Sequence, residues 1–411
     1  MPAAVAIPLF LVSLLVTLSA ARLFARRLDR LGVRFGFPEA LIGLLTALAA
    51  DGPEISSALY ALIRGAHGVG VGVVVGSNGF NLAAMIGLSA LLAGRVRLSR
   101  EVLLLEGLVG LLVTLAGAAL LAGWLPAPVA AGASALVLLP YLVLVLAGAR
   151  LIEHLSERPQ SPTARLARAL HEHPAPERAG TPPTNPTHHL LGLIVVDLAL
   201  IVAGSAGMVQ AALSLAGRWH VSSAVLGVLI LGPLTSLPNA ATAVRLGLAG
   251  RGAALVGETF NSNTINLAAG VIVPSLLISL GAAGTLGKVQ LAWLVAVTVL
   301  TLLLLARPGG MRRPGAAALV ALYFAFAVGT LVAAIAIAVP STITPRSAPS
   351  AASRARRTRA RRSRSRASRR ARICCSFMTP RAYPPRRRNT GRRAPPRPGA
   401  GSRPDGRAGA A

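Results

Sequence analysis

Uninterrupted apolar runs decide what this chain can fold into. Ala3 to Ala21 and Gln290 to Ala306 are two of them, and each is roughly the 17–20 residues that a helix needs to cross a hydrocarbon layer about 30 Å thick. Charged residues make up only 13% of the sequence, against about 25% in a soluble domain. An ordinary soluble enzyme is therefore excluded, and an all-α, polytopic membrane protein is expected.

Apolar segments bounded by charged residues or by Pro and Gly fall at 2–24, 38–64, 67–93, 100–122, 128–150, 189–215, 221–248, 252–283, 288–306 and 314–340, which predicts about ten transmembrane helices. The organisation that follows is a five-helix unit over residues 1–150, a polar loop over 151–188, a second five-helix unit over 189–340 and a tail over 341–411. The loop is rich in Pro, Arg, Glu and His and too polar to pack a core. Five of the seven histidines (His154, His171, His173, His188 and His189) lie in or beside it. Nothing fixes their geometry, so a solvated loop is read rather than a metal sensor.

The tail carries 21 arginines against one acid, Asp405, and most of the net charge of +29. It has no apolar periodicity and reads as disordered. Anionic lipid or nucleic acid would suit such a charge, as would no partner at all. Phe377 and Tyr383 are its only aromatic residues, too few for base stacking, and no specific nucleic-acid partner is predicted. Cys374 and Cys375 are adjacent there, which makes neither a disulfide framework nor a zinc site. No resident cofactor is expected.

No basic region precedes the first apolar run, so it is read as a retained helix rather than a cleaved signal. Arginines cluster at 22–37, 94–100, 151–188, 245–251 and 307–313, whereas the alternate connections hold only Arg64, Arg218 and Lys288. By the positive-inside rule the N-terminus lies outside a cell membrane and the 151–188 loop is cytoplasmic. Ten crossings also put the arginine-rich tail outside, against the same rule.

The chain repeats itself. Gly72-Val-Val-Val-Gly-Ser-Asn-Gly-Phe-Asn-Leu-Ala-Ala and Gly257-Glu-Thr-Phe-Asn-Ser-Asn-Thr-Ile-Asn-Leu-Ala-Ala align at an offset of 185, pairing Ser77 with Ser262, Asn78 with Asn263 and Asn81 with Asn266. Pro53 and Pro238 align at the same offset. An odd number of helices per unit inverts the second unit in the membrane, and inverted repeats with broken helices are a mark of secondary transporters. Each proline breaks its helix, and backbone freed at membrane depth is tolerated where it lines a cavity. Around the breaks stand Asp51 and Glu54 in one unit and Thr235, Ser236 and Asn239 in the other. Carboxylate, hydroxyl and amide oxygens of this kind suit a hard cation.

At these residues the sequence resembles the sodium/calcium exchanger superfamily of calcium:cation antiporters. Members carry Gly-Thr-Ser-x-Pro-Glu followed by Gly-Ser-Asn-x-Phe-Asn in each of two inverted five-helix halves. Gly76-Ser77-Asn78-Gly79-Phe80-Asn81 matches in full, while Asn261-Ser262-Asn263-Thr264-Ile265-Asn266 departs at the first Gly and at the Phe. Ala49-Ala50-Asp51-Gly52-Pro53-Glu54 keeps the glutamate and gains Asp51. Leu234-Thr235-Ser236-Leu237-Pro238-Asn239 keeps the hydroxyls and loses the glutamate. The family sets one glutamate from each half around the ion, whereas this chain places both carboxylates in the first half. Gly227 to Asn239 is 12 residues and Gly43 to Glu54 is 11, so the first repeat is expected to unwind differently.

The resemblance implies an antiporter, not an enzyme, moving Na⁺, Ca²⁺ or H⁺ by alternating access. Its cation site would comprise Asp51, Glu54, Ser77, Asn78, Asn81, Thr235, Ser236, Asn239, Ser262, Asn263 and Asn266. Glu258 is either a further acid of the site or a surface charge. Asp51 is either a ligand or a helix cap, and the asparagines are either ligands or interhelical glue. Asp197, also within an apolar segment, either pairs with a neighbouring helix or carries a proton. A degenerate, non-transporting exchanger kept as scaffold or regulator is the alternative to a transporter. The inverted arrangement is checked by labelling: cysteines introduced at Ala127 and Ala175 should react from opposite faces of the membrane, and reaction of both from one face would exclude it.

Overall fold

In the computed structural model, which describes residues 1–35, 39–155 and 186–338, both interrupting prolines stand in the first turn of a helix. Pro53 is second in α3 (Gly52–Ile63) and Pro238 is second in α9 (Leu237–Leu248). The missing N–H costs nothing there, because first-turn donors have no partner within the helix anyway. The preceding helices, α2 (Glu39–Ala50) and α8 (Leu226–Thr235), stop one residue earlier. One residue therefore joins each pair: Asp51 at φ −79, ψ −1 and Ser236 at φ −83, ψ −2. These two residues are themselves 185 apart. The expectation of different unwinding is corrected: the extra residue after Gly227 is absorbed upstream, where α8 starts as a wide π-type turn over Leu226–Leu231.

The helix after each break also changes winding. α4 (His67–Ala93) turns π-type over Asn81–Leu88, and α10 (Gly252–Leu267) continues π-type over Ala268–Ile272. Such turns loosen the regular ladder and redirect side chains. The remaining helices are α1 (Ala3–Arg34), α5 (Arg100–Leu121), α6 (Ala127–Leu155), α7 (Thr187–Trp219), α11 (Thr285–Leu305) and α12 (Arg313–Ala338).

Two sequence boundaries need correction. The 252–283 segment is not one helix: Pro274 opens a short 3₁₀ turn, Pro274–Leu276, and residues 277–284 are irregular. Conversely α1 does not stop at residue 24 but carries Arg22, Arg26, Arg27, Arg30 and Arg34 on its last turns. Its 32 residues span about 48 Å at 1.5 Å per residue, so these turns pass beyond a 30 Å hydrocarbon layer. The central loop residues 156–185 and the tail 341–411 lie outside the described residues, and so do the readings made of them.

Among the described residues seven helices are long and apolar enough to cross a membrane, and α8 with α9, bent by 53°, makes an eighth. α10, at 16 residues, and α2 and α3, at 12 each, are too short to count alone. Leu136, Leu139 and Val143 on α6 and Phe324, Val328 and Val332 on α12 are exposed, while Asp51, Glu54, Asn78 and Asn81 are buried. Greasy outside and polar inside is the distribution a bilayer selects. The molecule is a multi-pass integral membrane protein.

Small residues set how closely the helices approach. α1 packs most extensively on α7, where a Cβ on Gly204 would meet Thr17 Oγ1. Arg27 pairs with Asp197 across this seam and also donates to Leu193 O. Of the two readings of Asp197, the structure supplies the helix partner. Two antiparallel backbone pairs, Arg95 with Arg312 and Val96 with Met311, join the connection after α4 to the one before α12. Arginine content alone assigned those two connections to one face, and their contact agrees with that grouping.

α4 and α8 cross at their glycines. A Cβ on Gly76 would overlap the backbone of Val228, and one on Gly72 would lie 3.0 Å from Gly227 Cα. Gly76→Ala should thus destabilise the protein by about 1–3 kcal/mol through overpacking. Gly192→Ala, in α7 with nothing within 4 Å, should stay within about 0.5 kcal/mol. Thermal unfolding in detergent compares the two; equal midpoints would refute the close crossing.

Candidate cation site

The repeated asparagines face each other across the two halves. Asn78 Nδ2 donates to Asn263 O at 3.0 Å, and Asn263 Nδ2 donates to Asn78 O at 3.1 Å. When residue i contacts j as j contacts i, the contact lies on a two-fold axis. Here that axis is the internal one relating residue n to n + 185. The break residues obey it as well. Asn239 Nδ2 donates to Asp51 Oδ1 at 2.8 Å, and Ser236 Oγ donates to Glu54 Oε1 at 2.9 Å. Because Asp51 corresponds to Ser236 and Glu54 to Asn239, these are symmetry mates with different chemistry on each side.

The carboxylates belong to one continuous network. Ser262 Oγ donates to Asp51 Oδ1 at 2.6 Å, and Asn81 Nδ2 donates to Ser262 Oγ at 3.2 Å and Asn263 Oδ1 at 3.0 Å. Asn239 Nδ2 also reaches Glu54 Oε1 at 3.5 Å. Asp51 and Glu54 are 1% and 0% exposed. Among the described residues neither is paired with a basic side chain; their partners are neutral donors from the second half. The chain places both acids in one half, yet both point across to the other. Glu54 also occupies the first turn of α3, where the helix dipole favours negative charge.

The structure therefore brings together Asp51, Glu54, Asn78, Asn81, Ser236, Asn239, Ser262 and Asn263. Three further site candidates are not hydrogen-bonded into this network. Thr235 Oγ1 donates to Leu231 O and Gly232 O, and Ser77 Oγ donates to Val74 O, each within its own helix. Asn266 is buried with neither side-chain atom hydrogen-bonded. Glu258 is half-buried and within Coulombic reach of both Asp51 and Arg245, which goes against a free surface charge.

Several oxygens of the network accept nothing: Asp51 Oδ2, Glu54 Oε2, Asn78 Oδ1 and Asn81 Oδ1 are buried without a donor. Buried polar atoms in native proteins nearly always have a partner. A set made only of acceptors fits a cation, which takes lone pairs and offers no clash of donors.

The sequence reading missed Glu106. It is buried in the second turn of α5, and the Tyr141 hydroxyl of α6 reaches it. The signal was available, since an acid within an apolar segment is a functional candidate by default.

Two pseudo-symmetric units meeting at broken helices around buried carboxylates define a membrane protein of the inverted-repeat class. The chain belongs to the sodium/calcium exchanger protein family, whose model matches residues 5–148 and 189–332. It is 28% identical over 312 residues to the putative antiporter CaxA of Alkalimonas amylolytica, covering 74% of this chain and 90% of that one. Over 86 residues it is 33% identical to the sodium/calcium exchanger MaX1 of Methanosarcina acetivorans, covering 21% and 25% respectively. Among solved structures, the sodium-calcium exchanger NCX_Mj soaked with Na⁺ and Sr²⁺ aligns with a TM-score of 0.49 at 21% identity, over 80% of this chain and 99% of that one.

The internal symmetry has an energetic consequence. Asn78→Ala and Asn263→Ala each remove one of two matched hydrogen bonds and strand one buried carbonyl. Each should cost about 1–3 kcal/mol, with Asn263→Ala the larger loss because it also takes the Oδ1 acceptor away from Asn81 Nδ2. Unfolding measurements in which Asn78→Ala costs more than Asn263→Ala would mean the two exchanged bonds are not equivalent.

Proposed function

We propose that the protein is a cation antiporter in which Na⁺, Ca²⁺ or H⁺ competes for the network around Asp51 and Glu54, and the two halves expose that network to one face of the membrane at a time. The carrying observation is the set of buried, donorless oxygens at the junction of the two helix breaks. A carboxylate in the bilayer costs roughly 2.5–3.5 kcal/mol when unmatched. Two of them beside neutral donors are best explained by a positive charge that comes and goes.

Relocation of the second acid supports the same reading. Where the family pattern has a glutamate, Asn239 donates to both Asp51 and Glu54. Two negative charges remain at the junction, supplied by Asp51 and Glu54 together. Ligand charge sets divalent affinity, so the chain keeps the charge that a divalent ion requires. The ten apolar segments then act as ten crossings, five per half, with the N-terminus outside the cell membrane and residues 151–188 inside. The scaffold alternative rests on Asn239 alone, and ion flux decides between them.

Flux in everted vesicles, with Ca²⁺, Na⁺ and K⁺ tested separately against a pH gradient, identifies the ions. Glu54→Gln preserves shape and removes charge. It should lower flux about tenfold or more, equivalent to about 1.4 kcal/mol or more, while the protein still folds and inserts. A silent Glu54→Gln in an active transporter would remove Glu54 from the site, and a wild type without flux would favour the scaffold. Asn239→Glu adds a third carboxylate and should raise divalent affinity, again about tenfold. If it alters neither ion preference nor pH dependence, residue 239 does not face the ion.

A further inference from the structure

A second polar cluster lies outside this network, between α5, α6 and α10. The Tyr141 hydroxyl is 3.1 Å from Glu106 Oε1, 3.1 Å from Glu106 Oε2 and 2.8 Å from Asn261 Oδ1. Glu106 is 5% exposed. Its Oε1 would be 3.7 Å from a Cβ on Gly257, an ordinary contact distance, so the carboxyl lies against α10. Asn261 occupies the position that Gly76 holds in the first half. There the corresponding space is filled by the Val228 backbone, so this cluster has no symmetry mate.

Counting protons gives the cluster its chemistry. A phenol has one hydrogen, yet three acceptor oxygens surround it. With Asn261 Oδ1 turned towards the hydroxyl, the phenolic hydrogen goes to Asn261. Nothing is then left for a charged Glu106, which among the described residues has no other donor. A proton on Glu106 completes the chain, with the carboxylic acid donating to Tyr141 Oη and Tyr141 donating to Asn261 Oδ1. Without that proton, Tyr141 donates to the carboxylate and the Asn261 amide must turn so that its Nδ2 donates to Tyr141. The two arrangements use the same atoms and differ by one proton taken from water.

We propose that Glu106 is a proton-binding site separate from the Asp51–Glu54 network, and that Tyr141 relays its protonation to the orientation of Asn261. The next residue on α10, Ser262, is the donor to Asp51 Oδ1. Occupancy of Glu106 therefore biases the helix that holds the cation network, which makes the protein pH-sensitive through a residue that does not touch the transported ion.

The charged groups on the surrounding elements leave Glu106 as the titrating member. Arg100 and Glu101 lie at the start of α5, and Glu258 lies almost one turn before Asn261 on α10 but acts on Asp51 and Arg245. On α11, Leu302 is the residue near Gly107, while Lys288 stands 14 residues away, roughly 21 Å along the helix. On α6, Arg150, Glu153 and His154 follow Tyr141 by nine residues or more.

Infrared difference spectroscopy of the purified, full-length protein across a pH titration tests the proton directly, without any transport assay. Wild type should show a protonated-carboxyl band that Glu106→Gln abolishes. Tyr141→Phe should keep the band and move it to higher frequency, since the acid loses its acceptor; this variant also decides the matter if Glu106→Gln fails to fold. Spectra of Glu106→Gln identical to wild type, or a band unmoved in Tyr141→Phe, would overturn the proposal. The consequence for flux rests on the antiporter reading. In an active transporter, Glu106→Gln should flatten the pH dependence of cation flux by at least threefold across the titration range of the band. An unchanged pH profile beside an altered band overturns the coupling, whereas absence of flux in wild type overturns the antiporter reading and leaves the spectroscopic result standing.

Discussion

Two amide side chains, Asn78 and Asn263, each donating to the other's backbone carbonyl, hold the halves of this protein in register. Within a membrane a stranded carbonyl has no water to turn to, so the exchange is satisfied only when the two helices sit at one height and one rotation. Everything polar nearby inherits that alignment. Asn81 finds Ser262 and Asn263, and Ser262 finds Asp51, because the amide pair has already fixed α4 against α10. Glycines permit the approach: Gly72 and Gly76 let α4 press on the backbone of α8.

Within that frame the symmetry is geometric and the chemistry is not. Asp51 and Ser236 have the same backbone angles and interrupt equivalent helices, yet one is an acid and the other an alcohol. Glu54 and Asn239 differ in the same way. Each acid is met by the neutral group that its symmetry mate's neighbour supplies, so the carboxylates come from one half and their donors from the other. Among the described residues no salt bridge crosses this junction; neutral hydrogen bonds alone join its two sides.

Much of this was legible in the sequence. The 185-residue offset, the two prolines and the asparagine spacing place the breaks and the facing amides, since each is a local pattern with a local cause. Glu54 and Asp51 stood out as acids in an apolar run. The reach of α1 to Arg34 was not legible, because hydropathy falls where arginine begins although the helix continues. Glu106 escaped for another reason. Its meaning depends on Tyr141, 35 residues away, and on Asn261, 155 residues away, and no spacing rule links them. Asn261 read as a defect in a motif when it is a partner in a second cluster. For Ser77 and Thr235, which motif membership put in the site, the structure adds where the hydroxyl hydrogens go: to their own helices, which leaves the oxygen lone pairs unspent.

The short pairing of Arg95–Val96 with Met311–Arg312 sets a mechanical boundary condition. It rivets a connection of the first half to a connection of the second with only a few backbone bonds, well away from the amide pair. A body pinned at its centre and again at one rim has lost most ways to slide and keeps the freedom to rock about the line between the pins. α1 and α7 are the pair most extensively packed on each other, and Arg27 and Asp197 tie them together. Any such rocking would carry them as one stiff unit.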